Sequence, residues 1–146
     1  MNVEQFRSAI STRIQAWAAQ YADHEVGIAA GSLPVAYENT PQPEGVPVWV
    51  DVQLRFYSGN LMGPGRKDTR YTGVLALSAY IKDGEGTRVT DRILGSLSSR
   101  FRSQHIGPGA WFKAPEPTIP PPEFFGWHKA GVMLPFVLDE KESELP

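Results

Sequence analysis

The sequence predicts an α+β fold in a single domain, in which a mostly antiparallel or mixed β-sheet of two hairpins is flanked by two amphipathic helices. Three observations support this prediction. Apolar residues recur at helical spacing over 3–22, they alternate strictly with other residues over 48–57, and their period changes from 2 to 3.6 within 71–102. Because the elements follow the order helix, hairpin, helix, hairpin, both helices are expected on one face of the sheet.

The first helix is predicted over residues 3–22. Its apolar side chains are three or four positions apart, so they fall on one side of a helix and indicate packing on a core. A short strand is expected at 35–37, before a proline-rich segment at 38–47 without regular structure. The apolar stripe of the helix consists of Val3, Phe6, Ile10, Ile14, Trp17 and Tyr21.

The clearest strand is predicted over residues 48–57, with one face on the core and the other in solvent or in a polar interface. A 13-residue loop is expected at 58–70, which holds three glycines, one proline and a basic end. The flanking strands are expected to pair antiparallel around this loop, because they are adjacent in the chain. The core-facing positions of the strand are Val48, Val50, Val52, Leu54 and Phe56.

A strand at 71–82, a glycine turn at 83–86 and a helix at 87–102 form the centre of the predicted fold. The glycines of the turn can adopt positive φ without steric cost. The strand alternates on a period of two, and the helix repeats apolar residues every four positions. The apolar positions are Leu75, Leu77, Ala79 and Ile81 in the strand, and Val89, Ile93, Leu97 and Phe101 in the helix.

The C-terminal third predicts a second hairpin. A short edge strand is expected at 110–117, which contains two prolines, and a last strand is expected at 128–138. Pro135 within the last strand indicates an edge position or a bulge. The acidic residues 139–146 are expected to be a flexible tail. The whole chain, 1–146, is expected to be one domain.

Charge is divided unevenly along the chain, although the net charge is only −2. Residues 55–113 hold ten Lys/Arg and four Asp/Glu, a balance of +6, and the remaining residues hold four and twelve, a balance of −8. Charged side chains scattered over a solvated surface would explain this division. Two complementary faces that meet between copies of the chain would explain it as well.

Several kinds of site and partner are not expected. The absence of cysteine excludes disulfides and thiolate ligands. No apolar run approaches the ~20 residues of a membrane-spanning helix, so no membrane partner is expected. His24, His105 and His128 lack metal-ligand spacing, and the segment 59–67 fails the spacing of a phosphate-binding loop. We therefore expect no catalytic, metal or cofactor site, and a binding or structural protein rather than an enzyme.

Charged residues of the strand at 48–57, the long loop and the second helix are the candidates for a protein interface. A sequence-specific nucleic-acid patch is not favoured, because the isoelectric point is about 5.9 and no known reader motif is present. The candidate interface residues are Arg55, Arg66, Lys67, Asp68, Arg70, Arg88, Arg92, Arg100 and Arg102.

The order of these segments resembles the tail terminator proteins of siphophages and prophages. The first helix, Tyr37-Glu38-Asn39 before a proline-rich loop, and the strand with its long glycine-containing loop are similar to that family. Further similar segments are the central strand from Gly73, its glycine turn and helix, and Gly126-Trp127-His128 before the last strand. The resemblance extends over 6–139, and it departs from the family pattern in the proline-heavy segment 115–125.

The resemblance implies a structural role in the virion. Members of that family form a ring, usually of six copies, which caps the head-proximal end of the tail tube. The implied partners are further copies of the chain, the major tail tube protein and a head–tail connector or neck protein. DNA would pass through the ring without sequence-specific binding. Replacing Arg66, Lys67 and Arg70 together by alanine is then expected to weaken assembly. The alternatives are a head-closure or tail-completion protein, and a small-molecule-binding domain.

Overall fold

The computed structural model describes residues 1–38, 40–65, 67–82, 88–117, 127–141 and 143. These residues form a mixed sheet with the strand order β1-β2-β3-β6-β4, and β5 also pairs with β6. Only the β1–β2 pair is parallel among the described pairings. The predicted α+β fold is confirmed. The elements are α1 (Val3–Gln20), β1 (Val35–Ala36), β2 (Val48–Leu61), β3 (Thr69–Lys82), α2 (Arg88–Ser98), β4 (Ala110–Phe112), β5 (Glu116–Pro117) and β6 (Trp127–Glu140).

Both helices pack on the same face of the sheet, as the element order predicted. The predicted stripes of α1 and α2 share one core with the even-numbered positions of β2 and with the apolar face of β3. Phe6 lies at the centre of this core, with its ring centroid 4.8 Å from that of Phe136 and 6.0 Å from that of Phe112. Clustered aromatic rings of this kind contribute a large share of the buried apolar area.

A capping box begins α1. The side chain of Asn2 accepts a hydrogen bond from the Gln5 amide at 2.8 Å, and the Gln5 side chain accepts one from the Asn2 amide at 3.0 Å. Two backbone donors at the start of the helix are thus satisfied by side chains. The helix ends at Gln20, because Tyr21 is already extended, with φ −68° and ψ 128°.

The predicted loop at 58–70 was too long, because residues 58–61 and 69–70 belong to strands. β2 continues to Leu61 and β3 begins at Thr69, and the described residues 62–65, 67 and 68 lie between the two strands. A bulge between Phe56 and Ser58 shifts the register, and pairing then resumes. The glycines hid this continuation in the sequence, because glycine is weak in strands by propensity. Here the backbone ladder to β3 outweighs that weakness.

The helix α2 ends earlier than the period of its apolar residues predicted. It stops at Ser98, and the amides of Arg100 and Phe101 bond to carbonyls only three residues back. Phe101 is nevertheless fully buried in the turn that follows α2. Its apolar side chain extends the helical spacing in the sequence, which explains why the predicted helix was too long. The predicted turn 83–86 lies outside the described residues.

The last strand is longer at both ends than predicted, and the predicted tail begins later. Asp139 and Glu140 belong to β6 and pair with Arg70 and Thr69. Glu140 is buried, and its carboxylate accepts a hydrogen bond from the Val3 amide at 3.0 Å, which places a negative charge at the positive end of α1. The acidic composition of 139–146 therefore misled the prediction at its first two residues.

Pro135 lies in an interior strand and in regular register with β3, so the predicted edge position or bulge was wrong, but its missing amide hydrogen costs little there. The Pro135 carbonyl accepts a hydrogen bond from Lys113 at 2.8 Å, on the side away from β3. Amide and carbonyl of one residue point to the same side of a strand, so the absent donor also faces the junction between β4 and β5. The predicted edge strand at 110–117 is accordingly divided into these two short strands.

Candidate assembly surfaces

The hairpin tip, defined as residues 57–65, 67 and 68, carries the large exposed apolar side chains of the described chain. Tyr57 is 63% exposed, Leu61 is 66% exposed and Met62 is 43% exposed. Three 14-residue strands, β2, β3 and β6, extend to this end of the sheet and support it. A cluster of exposed apolar side chains on a hydrogen-bonded scaffold is a common feature of protein interfaces.

The second face of the sheet is not covered by either helix. At one end of this face, Trp49 stacks on Tyr80 with ring centroids 4.2 Å apart, and Trp127 meets Trp49 edge-on. Farther along β2, Gln53 bridges its neighbours, since it donates to Asp51 at 3.2 Å and accepts from Arg55 at 2.6 Å. Partial burial raises the pKa of the Asp51 carboxyl, which the positive charge of Lys129 opposes.

Arg70 ties the hairpin tip to the last strand. Its guanidinium forms a two-pronged ion pair with Asp139, at 2.7 Å and 2.8 Å, and lies 5.7 Å from the centroid of the Trp111 ring. The paired Asp139 raises the pKa of Arg70. Of the predicted interface residues, Arg70 is therefore held within its own subunit.

Arg92 closes a second internal contact, the clasp, which is defined as Arg92 with Tyr21, Asp23 and Glu25. Arg92 donates three hydrogen bonds to the buried Asp23 carboxylate at 2.9–3.1 Å and lies 2.6 Å from the Glu25 carboxylate. Burial raises the pKa of Asp23, but hydrogen bonds from Arg92, the Glu25 amide and Tyr21 outweigh it, so the pKa lies below its usual value. Burial, with help from Asp23, raises the pKa of Tyr21 to about 12.

The remaining candidates do not gather at one place. Arg88 lies 3.8 Å from Glu25 beside the clasp, and Arg102 donates to Ser98 within the end of α2. Arg100 is exposed in the turn that follows α2, and Arg55 is exposed on the uncovered face of the sheet. Lys67 and Asp68 lie in the turn of the hairpin tip, whereas Arg66 lies outside the described residues. The structure thus separates the candidates between the sheet and α2.

The clasp predicts a dependence of stability on pH. Because the pKa of Asp23 is lowered on folding, its contribution is complete at neutral pH, declines below the unfolded carboxyl pKa of about 3.9, and is lost below the folded pKa. An Asp23→Asn variant lacks this titration. Between neutral and acidic pH, we expect the midpoint temperature of thermal unfolding to fall by a few degrees more in the wild type than in Asp23→Asn. Parallel curves for the two proteins would contradict this role of Asp23.

Sequence reasoning missed the exposed apolar residues and the polar contacts of Glu38 beside β2. Glu38 accepts a hydrogen bond from the Leu54 amide at 2.5 Å, and Arg7 lies 3.4 Å from the same carboxylate. These residues border a cleft of about 180 Å³ between α1 and β2. The alternation at 48–57 identified the strand, but no pattern in the sequence indicated that the strand continues to Leu61.

Two features are absent from the described part of the chain. It holds no cluster of three or more histidine, cysteine or carboxylate side chains that could bind a metal ion. Neither of its helices is long and apolar enough to span a membrane.

Comparison with known proteins identifies a shared fold only. No family model and no curated protein matches the chain. One solved structure is similar over 94% of this chain and 96% of its own, with a TM-score of 0.67 and 20% sequence identity. At that identity the similarity concerns the arrangement of the whole domain, and it leaves the function to be argued from the surfaces described above.

Proposed function

We propose that the protein is a tail terminator, a structural virion protein that forms a ring, of six copies, on the head-proximal end of a phage tail tube. The hairpin tip is the observation that carries this proposal, since Leu61 and Met62 expose apolar side chains without a core behind them. The order of sequence segments that resembles the tail terminator family supports the same role.

A ring at a tube end meets a physical requirement of tube growth. Tube subunits contact one another head to tail, and such contacts extend without limit unless a different protein binds the last ring. The terminator must present one face that binds the tube and a second face to which no further tube subunit can bind. The division of charge along the sequence, +6 over 55–113 and −8 over the remaining residues, agrees with this requirement.

The partners follow from this role. The hairpin tip contacts a neighbouring copy or the major tail tube protein, and the opposite side of the ring presents a surface to a head–tail connector. DNA passes through the ring without sequence-specific contacts, and no cofactor, catalysis or membrane contact is involved. The protein is assembled in the cytoplasm of the host bacterium and then resides at the head-proximal end of the tail.

A head-closure or neck protein of the same virion is the second candidate, because such a protein would use the same exposed tip to join head and tail. A small-molecule-binding domain has weaker support. The cleft between α1 and β2, at about 180 Å³, is smaller than the roughly 300–1,000 Å³ of sites for drug-sized ligands, and the larger hollow of about 890 Å³ is an open surface along α1, with Gln5, Ser8 and Thr12 in its lining.

Light scattering of the purified protein, alone and with tail tubes, tests the ring. The subunit mass of 16.1 kDa multiplied by six predicts a species of about 97 kDa, formed in solution or recovered from the tube end. A protein that remains at 16.1 kDa and binds no tube would contradict the proposal.

A further inference from the structure

The cleft between α1 and β2, called here the α1–β2 cleft, has an apolar floor and a charged mouth. Arg7 and Glu38 at the mouth are partly exposed and lie 3.4 Å apart. The second oxygen of the Glu38 carboxylate accepts a hydrogen bond from the Leu54 amide at 2.5 Å, so both of its oxygens are engaged within the subunit. What remains available is an apolar recess. The buried residues of its floor are Ile10, Val52, Leu54 and Leu75.

The α1–β2 cleft has the size of one large apolar side chain. Its volume is about 180 Å³. An apolar cavity of about 150 Å³ can hold a benzene molecule, which is close in size to the side chain of leucine or methionine. Protein interfaces gain most of their binding energy from a few such side chains that fill pockets on the partner. The cleft therefore fits an apolar anchor that a partner presents.

Leu61 of the hairpin tip is an apolar anchor without a pocket in its own subunit. It is 66% exposed, and the ladder between β2 and β3 holds its backbone. Tyr57 is similarly exposed, but it carries a hydroxyl that an apolar floor cannot bond. Leu61 lies seven residues beyond Leu54 on β2, which is about 20 Å at about 3.3 Å per residue. It is therefore too far from the cleft of its own subunit, and the cleft of another copy matches it in size and chemistry.

We propose that Leu61 of one copy enters the α1–β2 cleft of the next copy, with Met62 packed at the mouth. This inference rests on the proposed function, because a ring needs a contact between copies that uses two different surfaces. The hairpin tip and the cleft are two such surfaces, and every copy carries both. The contact buries apolar surface on both sides and leaves the Arg7–Glu38 pair at its rim, where the polar groups of an interface usually lie.

Filling the cleft with a bulky side chain tests the receiving surface. Ser11 lines the cleft and is partly exposed, so Ser11→Trp occupies the recess without removing a residue of the floor. We expect association between copies to weaken at least about tenfold, because the anchor loses its pocket. Thr12→Trp adds the same side chain at the next position, which is exposed on α1, and is expected to assemble like the wild type. Circular dichroism shows whether both variants fold. A folded Ser11→Trp variant that assembles like the wild type overturns the contact.

Mixing two deficient variants tests whether tip and cleft bind each other. Leu61→Asp/Met62→Asp lacks the anchor but keeps the cleft, whereas Ser11→Trp lacks the cleft but keeps the anchor. Each variant alone is expected to stay at 16.1 kDa, and a 1:1 mixture is expected to form one contact and stop at a pair of about 32 kDa, twice the subunit mass. Light scattering measures both. A mixture that stays at 16.1 kDa, at concentrations at which the wild type assembles, overturns the pairing.

A designed disulfide reports the same contact without changing the bulk of the cleft. The chain has no cysteine, so the combination of Leu61→Cys with Ser11→Cys introduces the only thiols. Mild oxidation, of the protein alone or bound to tail tubes, is expected to give covalent oligomers of up to six copies, because a disulfide requires β-carbons within about 4.5 Å. Leu61→Cys with Thr12→Cys is the control and is expected to remain uncross-linked. Assembled rings of the first variant without cross-links overturn the contact.

The outcomes separate the two proposals. A ring of about 97 kDa that forms despite Ser11→Trp, or that gives no cross-link from position 61 to position 11, overturns the tip–cleft contact and leaves the terminator ring intact. Cross-linked species that never exceed about 32 kDa support the contact and overturn the ring. A wild-type chain that stays at 16.1 kDa, with and without tail tubes, overturns both.

Discussion

Replacing Leu61 and Met62 by aspartate is expected to abolish ring formation while the subunit stays folded. Both side chains are exposed in the single subunit, at 66% and 43%, so the substitutions remove little from its core. In the ring they are expected to be buried, where each apolar anchor contributes about 1–2 kcal/mol and a buried charge is costly. The combined loss corresponds to an affinity between copies at least about 100-fold weaker. Light scattering over a range of concentrations measures it.

A matched variant separates the hairpin tip from a general effect of negative charge. Ser8 and Thr12 are exposed on α1, and replacing both by aspartate adds the same charge on an element other than the hairpin tip. This control is expected to assemble like the wild type. If the tip variant also assembles normally, or if both variants fail together, the tip is not the contact between copies.

The charge variant that the sequence suggested is expected to act differently. Changing Arg66, Lys67 and Arg70 to alanine removes basic charge, but it also breaks the ion pair between Arg70 and Asp139. A loss of assembly in that triple variant would therefore combine a direct effect with a loosened hairpin tip. The apolar substitutions test the interface without this complication.

Replacing Gly73 by alanine is expected to destabilise the fold by about 3 kcal/mol or more. A β-carbon at this position would overlap the backbone carbonyl oxygen of Arg55 and would lie 2.8 Å from the Phe136 ring. Neither neighbour is the free end of a flexible chain, so the sheet itself must shift beside the bulge. For a domain of this size the loss corresponds to roughly 10 °C in the midpoint of thermal unfolding, which circular dichroism measures.

Gly95 provides the matched control for Gly73. A β-carbon at Gly95 would meet no atom within 4 Å, and the residue lies inside α2. Alanine there is expected to raise stability by about 1 kcal/mol, because glycine is a poor helix former. Equal effects of the two substitutions would contradict the close packing at Gly73.

Periodicity predicted the core of this fold because the buried positions follow the geometry of single elements. The stripe of α1 and the even-numbered positions of β2 face the core as expected. Two of the wrong boundaries share one reason, which is that tertiary contacts decide them. Ser58 to Leu61 join the strand through a ladder that propensity does not predict, and Asp139 and Glu140 are held by Arg70 and the start of α1.

The candidate surfaces were predicted less well, because side-chain charge does not say what a residue already contacts. Arg70 and Arg92 looked available in the sequence, yet each is paired within the subunit. Glu38 lies in an irregular segment, and its contact with Leu54 joins residues that no spacing rule connects. The apolar residues of the hairpin tip could be recognised as a candidate interface only from their exposure in the structure.

Electron microscopy of particles assembled without this protein tests the central claim most directly. A terminator stops the tube at its last ring, so its loss is expected to produce tails of uncontrolled, excessive length, and supplying the wild-type protein is expected to restore the normal length. The Leu61→Asp/Met62→Asp variant is expected not to restore it. Tails of normal length that fail to join heads would contradict a terminator and would instead favour a neck protein.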